Sequence, residues 1–237
     1  MEKFFTIIGG MGTMATESYL HQLNLRTPAH ADQEYLNYIL VNHATVPDRT
    51  AYILDHSQPS PLPTLLDDIR QQSQLNPAFF TLPCNTAHYF YDDLQAATTI
   101  PLLHMPRETV KEIQRRFPEA KRIGITGTQG TITDKVYEDE VLAAGLTPVL
   151  PTAEIEAETM ELIYDNIKEQ DRVDAPLYHR ILRQMHDEQG ANLVILGCTE
   201  LSLAQEREPE TQIPLVDSQS VLVDRTLEMA LALRDKK

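Results

Sequence analysis

Short apolar runs alternate with segments of helical periodicity along the whole chain. Several of these runs are rich in β-branched residues, which favour strands. Apolar strands separated by helices are typical of a parallel sheet that is covered by helices on both faces. The sequence therefore predicts an α/β fold with mostly parallel sheets, and its expected strands cover residues 4–8, 38–41, 78–82, 122–126, 147–150 and 193–196.

Apolar stripes at helical spacing predict the helices between these strands. The clearest stripe has apolar residues at i, i+4, i+8, i+9 and i+12 on one helix face and consists of Val173, Leu177, Ile181, Leu182 and Met185. A second stripe runs from Ile155 to Ile167. Further helices are predicted over residues 64–75 and 221–233.

A weak internal repeat predicts two similar doubly wound lobes. Each half places a cysteine, Cys84 or Cys198, directly after an apolar strand and before a predicted helix. Prolines at 101 and 214 suggest a crossover and a return, so we expect one lobe from residues 1–101 and 216–237 and another from 102–215. Open sheets bind ligands beyond the carboxyl ends of their strands, which places the expected active site in the cleft between the lobes.

Composition narrows the partners that the chain could have. The formal net charge of −15 disfavours a nucleic-acid partner. No segment approaches the roughly 20 apolar residues of a membrane helix, and a signal-peptide pattern is absent. We therefore expect a cytoplasmic protein without a membrane partner.

Histidines and cysteines lack the spacing of a metal site, so neither a metal nor another cofactor is expected. The glycine turns at residues 9–12 and 127–131 lack the spacing of nucleotide-binding loops. The first of these turns is better suited to a close approach by a small ligand, with Met11 expected to contact the substrate.

The paired cysteines carry the candidate chemistry. A thiol at the amino end of a helix loses its proton more readily than a free thiol, whose pKa is about 8.5. A single cysteine is usually a buried packing residue, but two in matching positions favour a chemical role. Thiols on opposite faces of a substrate suit racemisation, because one removes the α-proton and the other supplies a proton to the opposite face.

Four motifs give the sequence a resemblance to the aspartate/glutamate racemase superfamily, most closely to its aspartate racemases. They extend over nearly the whole chain and are Gly9-Gly10-Met11-Gly12 with Ala15-Thr16, Pro47-Asp48-Arg49-Thr50, Pro83-Cys84-Asn85-Thr86-Ala87-His88 and Gly197-Cys198-Thr199-Glu200-Leu201. One departure is Thr13, where family members often have proline; both residues suit a helix start. The resemblance implies a homodimeric, pyridoxal-phosphate-independent enzyme that interconverts L- and D-aspartate through Cys84 and Cys198.

An amino dicarboxylate substrate requires local positive charge in this acidic protein. The resemblance assigns Arg49 to the side-chain carboxylate and makes Lys168 a second cation. The α-carboxylate is expected on the helix start behind Cys84, formed by Asn85, Thr86 and Ala87, with Thr199 opposite. We expect His88 to orient its neighbours, while Glu200 could either tune Cys198 or cap its helix.

Two alternatives remain open. The enzyme could act on glutamate, on both acids, on a relative such as a hydantoin, or on a broad range of amino acids, since one methylene is worth only about 1–3 kcal/mol of discrimination. The chain could also be a non-catalytic module that binds a diacid. The residues next to the cysteines do not indicate which thiol is the more acidic.

Overall fold

The computed structural model describes residues 2–235 and has two parallel sheets. The first has the strand order β2–β1–β3 and consists of β1 (Phe5–Gly9), β2 (Tyr38–Asn42) and β3 (Phe80–Thr81). The second has the order β5–β4–β6–β7 and consists of β4 (Arg122–Gly127), β5 (Thr147–Val149), β6 (Leu193–Gly197) and β7 (Leu215–Asp217). The predicted α/β fold with two lobes is confirmed.

Helices connect the strands and cover the sheets. They are α1 (Thr13–Arg26), α2 (Arg49–Leu54), α3 (Leu62–Ser73), α4 (Tyr91–Ala96), α5 (Met105–Arg116), α6 (Gln129–Thr133), α7 (Val136–Ala143), α8 (Ala153–Met160), α9 (Ala175–Arg183), α10 (Thr199–Arg207) and α11 (Ser218–Asp235). Short 3₁₀ turns occur at Asp32–Glu34 and Thr86–Phe90, and α8 and α9 continue into π-helical turns at Glu161–Lys168 and Gln184–Glu188.

Each sheet contributes apolar residues to two core clusters. In the first lobe, Phe5 and Ile7 pack with Tyr19 of α1, whereas Ile8 and Phe80 belong to a separate cluster with α3. Two further clusters contain alternate residues of the second sheet. Strands buried on both faces explain why the sequence shows continuous apolar runs rather than alternation.

The six predicted strands are present with small shifts of their ends, and one strand was missed. Strand β7 has three residues directly after Pro214, too short a run to stand out. Near the predicted crossover, Leu102 still forms a bridge with Phe80 of the first sheet. Helix α11 contributes Leu222 to a core cluster of the first lobe and Val221 to a core cluster of the second. The predicted lobe boundaries at residues 101 and 216 therefore stay a prediction. Residues 1, 236 and 237, which the prediction included in the first lobe, lie outside the described residues.

Within residues 2–235, every helix is too short or too polar to span a lipid bilayer.

Candidate active site

Two cysteines from different lobes face one small cavity. Cys84 follows β3, and Cys198 lies between β6 and α10 as the N-cap residue of that helix. Both are free thiols, and each is only 5% exposed. The fold thus brings the paired cysteines of the sequence into a common, almost dry site.

Most of the predicted site residues line this cavity. Besides the cysteines, its walls include the predicted residues Met11, Arg49, Asn85, Thr86, Lys168, Thr199 and Glu200. Its volume is about 10 Å³, close to the space that one water molecule needs. This closed arrangement is too small for an amino acid, so a substrate can enter only if the walls move apart.

The chain behind Cys84 differs from the prediction. Residues Thr86–Phe90 form a 3₁₀ turn of five residues, and α4 starts only at Tyr91. Ala87 lies in the first-lobe core and does not line the cavity. The predicted helix start behind Cys84 is thus present as a 3₁₀ turn, which aligns fewer peptide dipoles than an α-helix, and the anion site expected there stays a prediction.

Arg49 supplies positive charge beside Cys84. Burial alone would lower the pKa of this guanidinium, but the negative charges of Cys84 and Asp48 raise it above its ordinary value. Asp48 does not form an ion pair with Arg49 among the described residues; it caps α2 by accepting from the Ala51 N–H at 2.8 Å. Arg49 donates through Nη1 to the Pro47 carbonyl oxygen at 3.1 Å, so its positive charge has no carboxylate partner among the described residues.

Two donors in the cavity wall have no partner among the described residues. They are Nε of Arg49 and Nδ2 of Asn85, and both residues are buried. The Asn85 amide is oriented by Tyr137, whose hydroxyl donates to Asn85 Oδ1 at 2.5 Å and leaves the NH₂ group unpaired. Buried donors without partners cost about 1–3 kcal/mol each, so this pair is suited to bind a carboxylate.

Cys198 has the opposite electrostatic environment. Its thiol donates to Oε2 of the buried Glu200 at 2.9 Å. Burial, and then the negative charge of Glu200, raise the pKa of Cys198 well above its ordinary value, and the charge of Lys168 offsets only part of this. The expectation of an acidified thiol is wrong for Cys198, since these effects outweigh the helix terminus.

Lys168 reaches the same carboxylate from the other side of the site. Its Nζ lies 3.9 Å from Glu200 Oε1 and 4.1 Å from the ring centroid of Tyr164. Burial would lower the pKa of Lys168, but Glu200 and Tyr164 raise it. Lys168 ends the π-helical turn that contains Tyr164, and π-turns are frequent at functional sites.

The predicted threonines have different surroundings. The Thr86 hydroxyl lies 3.0 Å from the hydroxyls of Thr128 and Thr131, so it joins the two lobes. The Thr199 hydroxyl donates to Glu200 Oε2 at 3.3 Å. Neither side chain is left unpaired.

His88 lies behind Cys84 rather than in the cavity wall. Its Nδ1 lies 2.9 Å from the Cys84 carbonyl oxygen, and its Nε2 accepts from the Met105 N–H at 3.0 Å. These contacts require a proton on Nδ1, and burial lowers the pKa of His88. The neutral ring thus connects the Cys84 loop to the start of α5.

Sequence reasoning missed several residues that line or support the cavity. Tyr164 lies four residues before Lys168, so helical spacing could have indicated it. Thr128 belongs to a turn that was considered only as a nucleotide loop, and Asp48 was named only as part of the motif Pro47-Asp48-Arg49-Thr50. Tyr137 gave no signal, because its contact with Asn85 spans 52 residues of sequence.

Among the residues that the structure describes, no cluster of three histidine, cysteine or acidic side chains is arranged to hold a metal ion.

Comparison with known proteins places the chain among racemases. The sequence matches the family described as Asp/Glu/hydantoin racemase over residues 8–226. It is 26% identical to the broad specificity amino-acid racemase RacX of Bacillus subtilis over 232 residues, which cover 95% of this chain and 97% of that protein.

Solved structures share the fold. The aspartate racemase of Picrophilus torridus superposes with a TM-score of 0.80 at 22% identity, covering 96% of this chain and 94% of the other. The glutamate racemase of Francisella tularensis, solved with D-glutamate, gives a TM-score of 0.67 at 16% identity, covering 99% and 84%.

Proposed function

The chain belongs to the Asp/Glu/hydantoin racemase family, and we propose that it is a cofactor-independent amino-acid racemase whose bases are Cys84 and Cys198. One observation carries this proposal: two buried thiols from different lobes line one cavity, one beside a cation and the other bonded to a carboxylate. Racemisation needs a thiolate and a thiol at the same time, and we propose that Cys84 beside Arg49 is the thiolate and Cys198 beside Glu200 the thiol.

The resting charges suggest how the proton moves. Cys84, as the thiolate beside Arg49, removes the α-proton from one face of the substrate. The electron pair of the broken C–H bond delocalises into the α-carboxylate, and the Cys198 thiol then donates its proton to the opposite face. The reverse reaction starts from ionised Cys198 and protonated Cys84.

Arg49 Nε and Asn85 Nδ2 are suited to receive the α-carboxylate. Both donors are already buried and unpaired, so they need little reorganisation when negative charge develops on the carboxylate. Such preorganised donors contribute most in a site that excludes water.

Aspartate is the substrate that we propose first. The cations Arg49 and Lys168 both line the cavity and could hold two carboxylates, and aspartate racemases share the fold. We further propose that the enzyme acts in the cytoplasm as a homodimer, as the family resemblance implies.

Broad specificity is a second candidate that one contact favours. Lys168 lies 3.9 Å from the Glu200 carboxylate, so part of its charge is already neutralised and less remains for a second substrate carboxylate. The relative from Bacillus subtilis carries broad specificity in its name.

Exchange of the α-proton with deuterium from solvent tests the proposal. Proton NMR should show exchange in aspartate without added cofactor, and a panel with glutamate and alanine distinguishes a diacid enzyme from a broad one.

Either Cys84→Ala or Cys198→Ala should lower racemisation by a factor of about 10²–10⁴, the usual contribution of general acid–base catalysis.

Circular dichroism and thermal unfolding check that the two variants fold. Full racemase activity in the double variant would overturn the cysteine mechanism. Binding of aspartate without any exchange would instead indicate the non-catalytic module.

A further inference from the structure

A second cavity adjoins the site on the side of the first glycine turn. Its volume is about 390 Å³, within the range of small-molecule sites. It shares Met11, Arg49, Lys168 and Glu200 with the small cavity between the thiols. These four side chains therefore belong to the walls of both spaces.

Apolar side chains are the largest group in the walls of this side cavity, beside four charged ones. Besides the glycine turn, its apolar residues are Met11, Met14, Ala15, Ala44, Ile167 and Leu203. Methionine side chains adapt to occupants of different shape, and Met14 on the rim is half exposed. An apolar occupant would gain about fourfold in affinity for each buried methylene.

The charged residues of the side cavity balance one another. Arg49 and Lys168 are opposed by Glu200 and Asp171, and the carboxylates have other partners: Glu200 lies near Lys168, and Asp171 pairs with Arg207 at 2.8 Å. Arg49, which has no carboxylate partner among the described residues, is the cation proposed for the α-carboxylate. A charged side chain would therefore find no further free counter-ion in this cavity, and burying it would be costly.

From the shared wall, the apolar lining and the balanced charge, we propose that this cavity receives the side chain of a neutral, apolar amino acid such as leucine or methionine. The inference rests on the proposed racemase function and extends its substrate range. With the α-carbon between the two sulfurs, the side chain projects past Met11 into the cavity. The side cavity thus acts as the subsite for side chains that the 10 Å³ space cannot hold.

Substrate panels for the wild-type enzyme and for a variant whose side cavity is filled by a larger side chain test this assignment. Wild-type enzyme should process leucine and methionine with kcat/KM about tenfold or more above alanine. Ala44 is an exposed residue of the cavity rim, so Ala44→Phe should fill the space without disturbing the core. We expect this change to lower kcat/KM for leucine at least about tenfold more than for alanine.

Ala31→Phe is the matched control, because Ala31 is also exposed but does not line the cavity. Should Ala44→Phe fail to fold, Met14→Ala provides a second variant that removes part of the apolar wall and should reduce the preference for leucine over alanine.

Three results would overturn the assignment. Equal losses for leucine and alanine in Ala44→Phe would identify the cavity as an entry passage. Alanine processed as well as leucine by wild type would show that the cavity receives no side chain. Absence of α-proton exchange with every amino acid, aspartate included, would reject the racemase function itself, and the subsite with it.

Discussion

At the scale of single residues, the two cysteines differ by the charge of one neighbour. Cys84 lies beside the Arg49 guanidinium, whereas the Cys198 thiol donates to the Glu200 carboxylate. A cation therefore lies beside one sulfur, whereas burial and a carboxylate raise the pKa of the Cys198 thiol.

Glu200→Gln tests this contrast. Removing the negative charge should lower the pKa of Cys198, because burial and Glu200 are the main causes that raise it. The alkaline limb of the pH–rate profile, where the thiol pair loses its second proton, should therefore move to lower pH. The shift should be the same for both enantiomers, because an equilibrium constant of one makes kcat/KM equal in the two directions at every pH.

The measurement is kcat/KM for each enantiomer between about pH 6 and pH 10. Glu154→Gln serves as the control, since Glu154 is exposed on α8 and does not line the cavity. An unmoved profile in Glu200→Gln would show that Glu200 does not tune the thiol.

The sequence indicated which residues form the site better than it indicated which of their side chains contact one another. The cysteines, Arg49 and Lys168 stood out in motifs or by resemblance, and the fold brings them to one cavity. The role of Glu200 was left open, because an acid two residues after a cysteine can either cap a helix or bond a thiol. Only the side-chain direction, which places its carboxylate 2.9 Å from the sulfur, distinguishes the two.

At the scale of elements, the turn after β1 depends on a glycine. Gly10 has φ +91°, and a Cβ there would lie 2.5 Å from the backbone of His43. The turn can therefore approach the end of β2 only without a side chain. Met11 is thereby positioned in the cavity wall.

Gly10→Ala should destabilise the fold more than the same change at another positive-φ glycine. Gly145 has φ +73°, but a Cβ there would meet no atom within 4 Å, so Gly145→Ala should cost only the backbone strain of about 1–2 kcal/mol. Gly10→Ala adds overlap with backbone atoms and should cost well beyond that. Urea unfolding of both variants makes the comparison, and equal losses would contradict the close approach.

Helices and strands were predictable where the apolar pattern extended over many residues, and less predictable next to the candidate site. The strands and the helices of the second lobe follow from apolar runs and stripes. The 3₁₀ turn after Cys84 and the π-turn at Tyr164 were not predicted, since both continue the periodicity of an adjoining α-helix.

At the scale of the whole molecule, hydrogen bonds across the cleft hold the site closed. Tyr137 of α7 donates to Asn85 in the first lobe, and the Thr86 hydroxyl meets Thr128 and Thr131 in the second. The Tyr164 hydroxyl adds a longer contact of 3.4 Å to Asp48. Such pairs join residues far apart in sequence, so no local pattern could predict them.

Tyr137→Phe should reduce activity beyond its effect on stability. The Asn85 amide would lose the bond that orients it, and kcat/KM should fall about fivefold, in line with one neutral hydrogen bond of about 1 kcal/mol. Tyr178→Phe is the matched control, because Tyr178 is equally buried and its hydroxyl donates to Gln205 at 2.7 Å, away from the cavity. Similar losses of activity in both variants would show that Tyr137 acts only through stability.

The unequal charges at the two thiols also constrain the enzyme's turnover. The enantiomers of a free amino acid have the same free energy, so kcat/KM must be equal in the two directions however differently Cys84 and Cys198 are placed. In the proposed mechanism each conversion exchanges the proton between the sulfurs, and Arg49 and Glu200 make one of the resulting free-enzyme forms the more stable. The asymmetry therefore cannot enrich either enantiomer. It determines instead for which direction of turnover the free enzyme must return from its more stable to its less stable protonation form. In that direction this return, rather than the chemistry on the substrate, limits the rate.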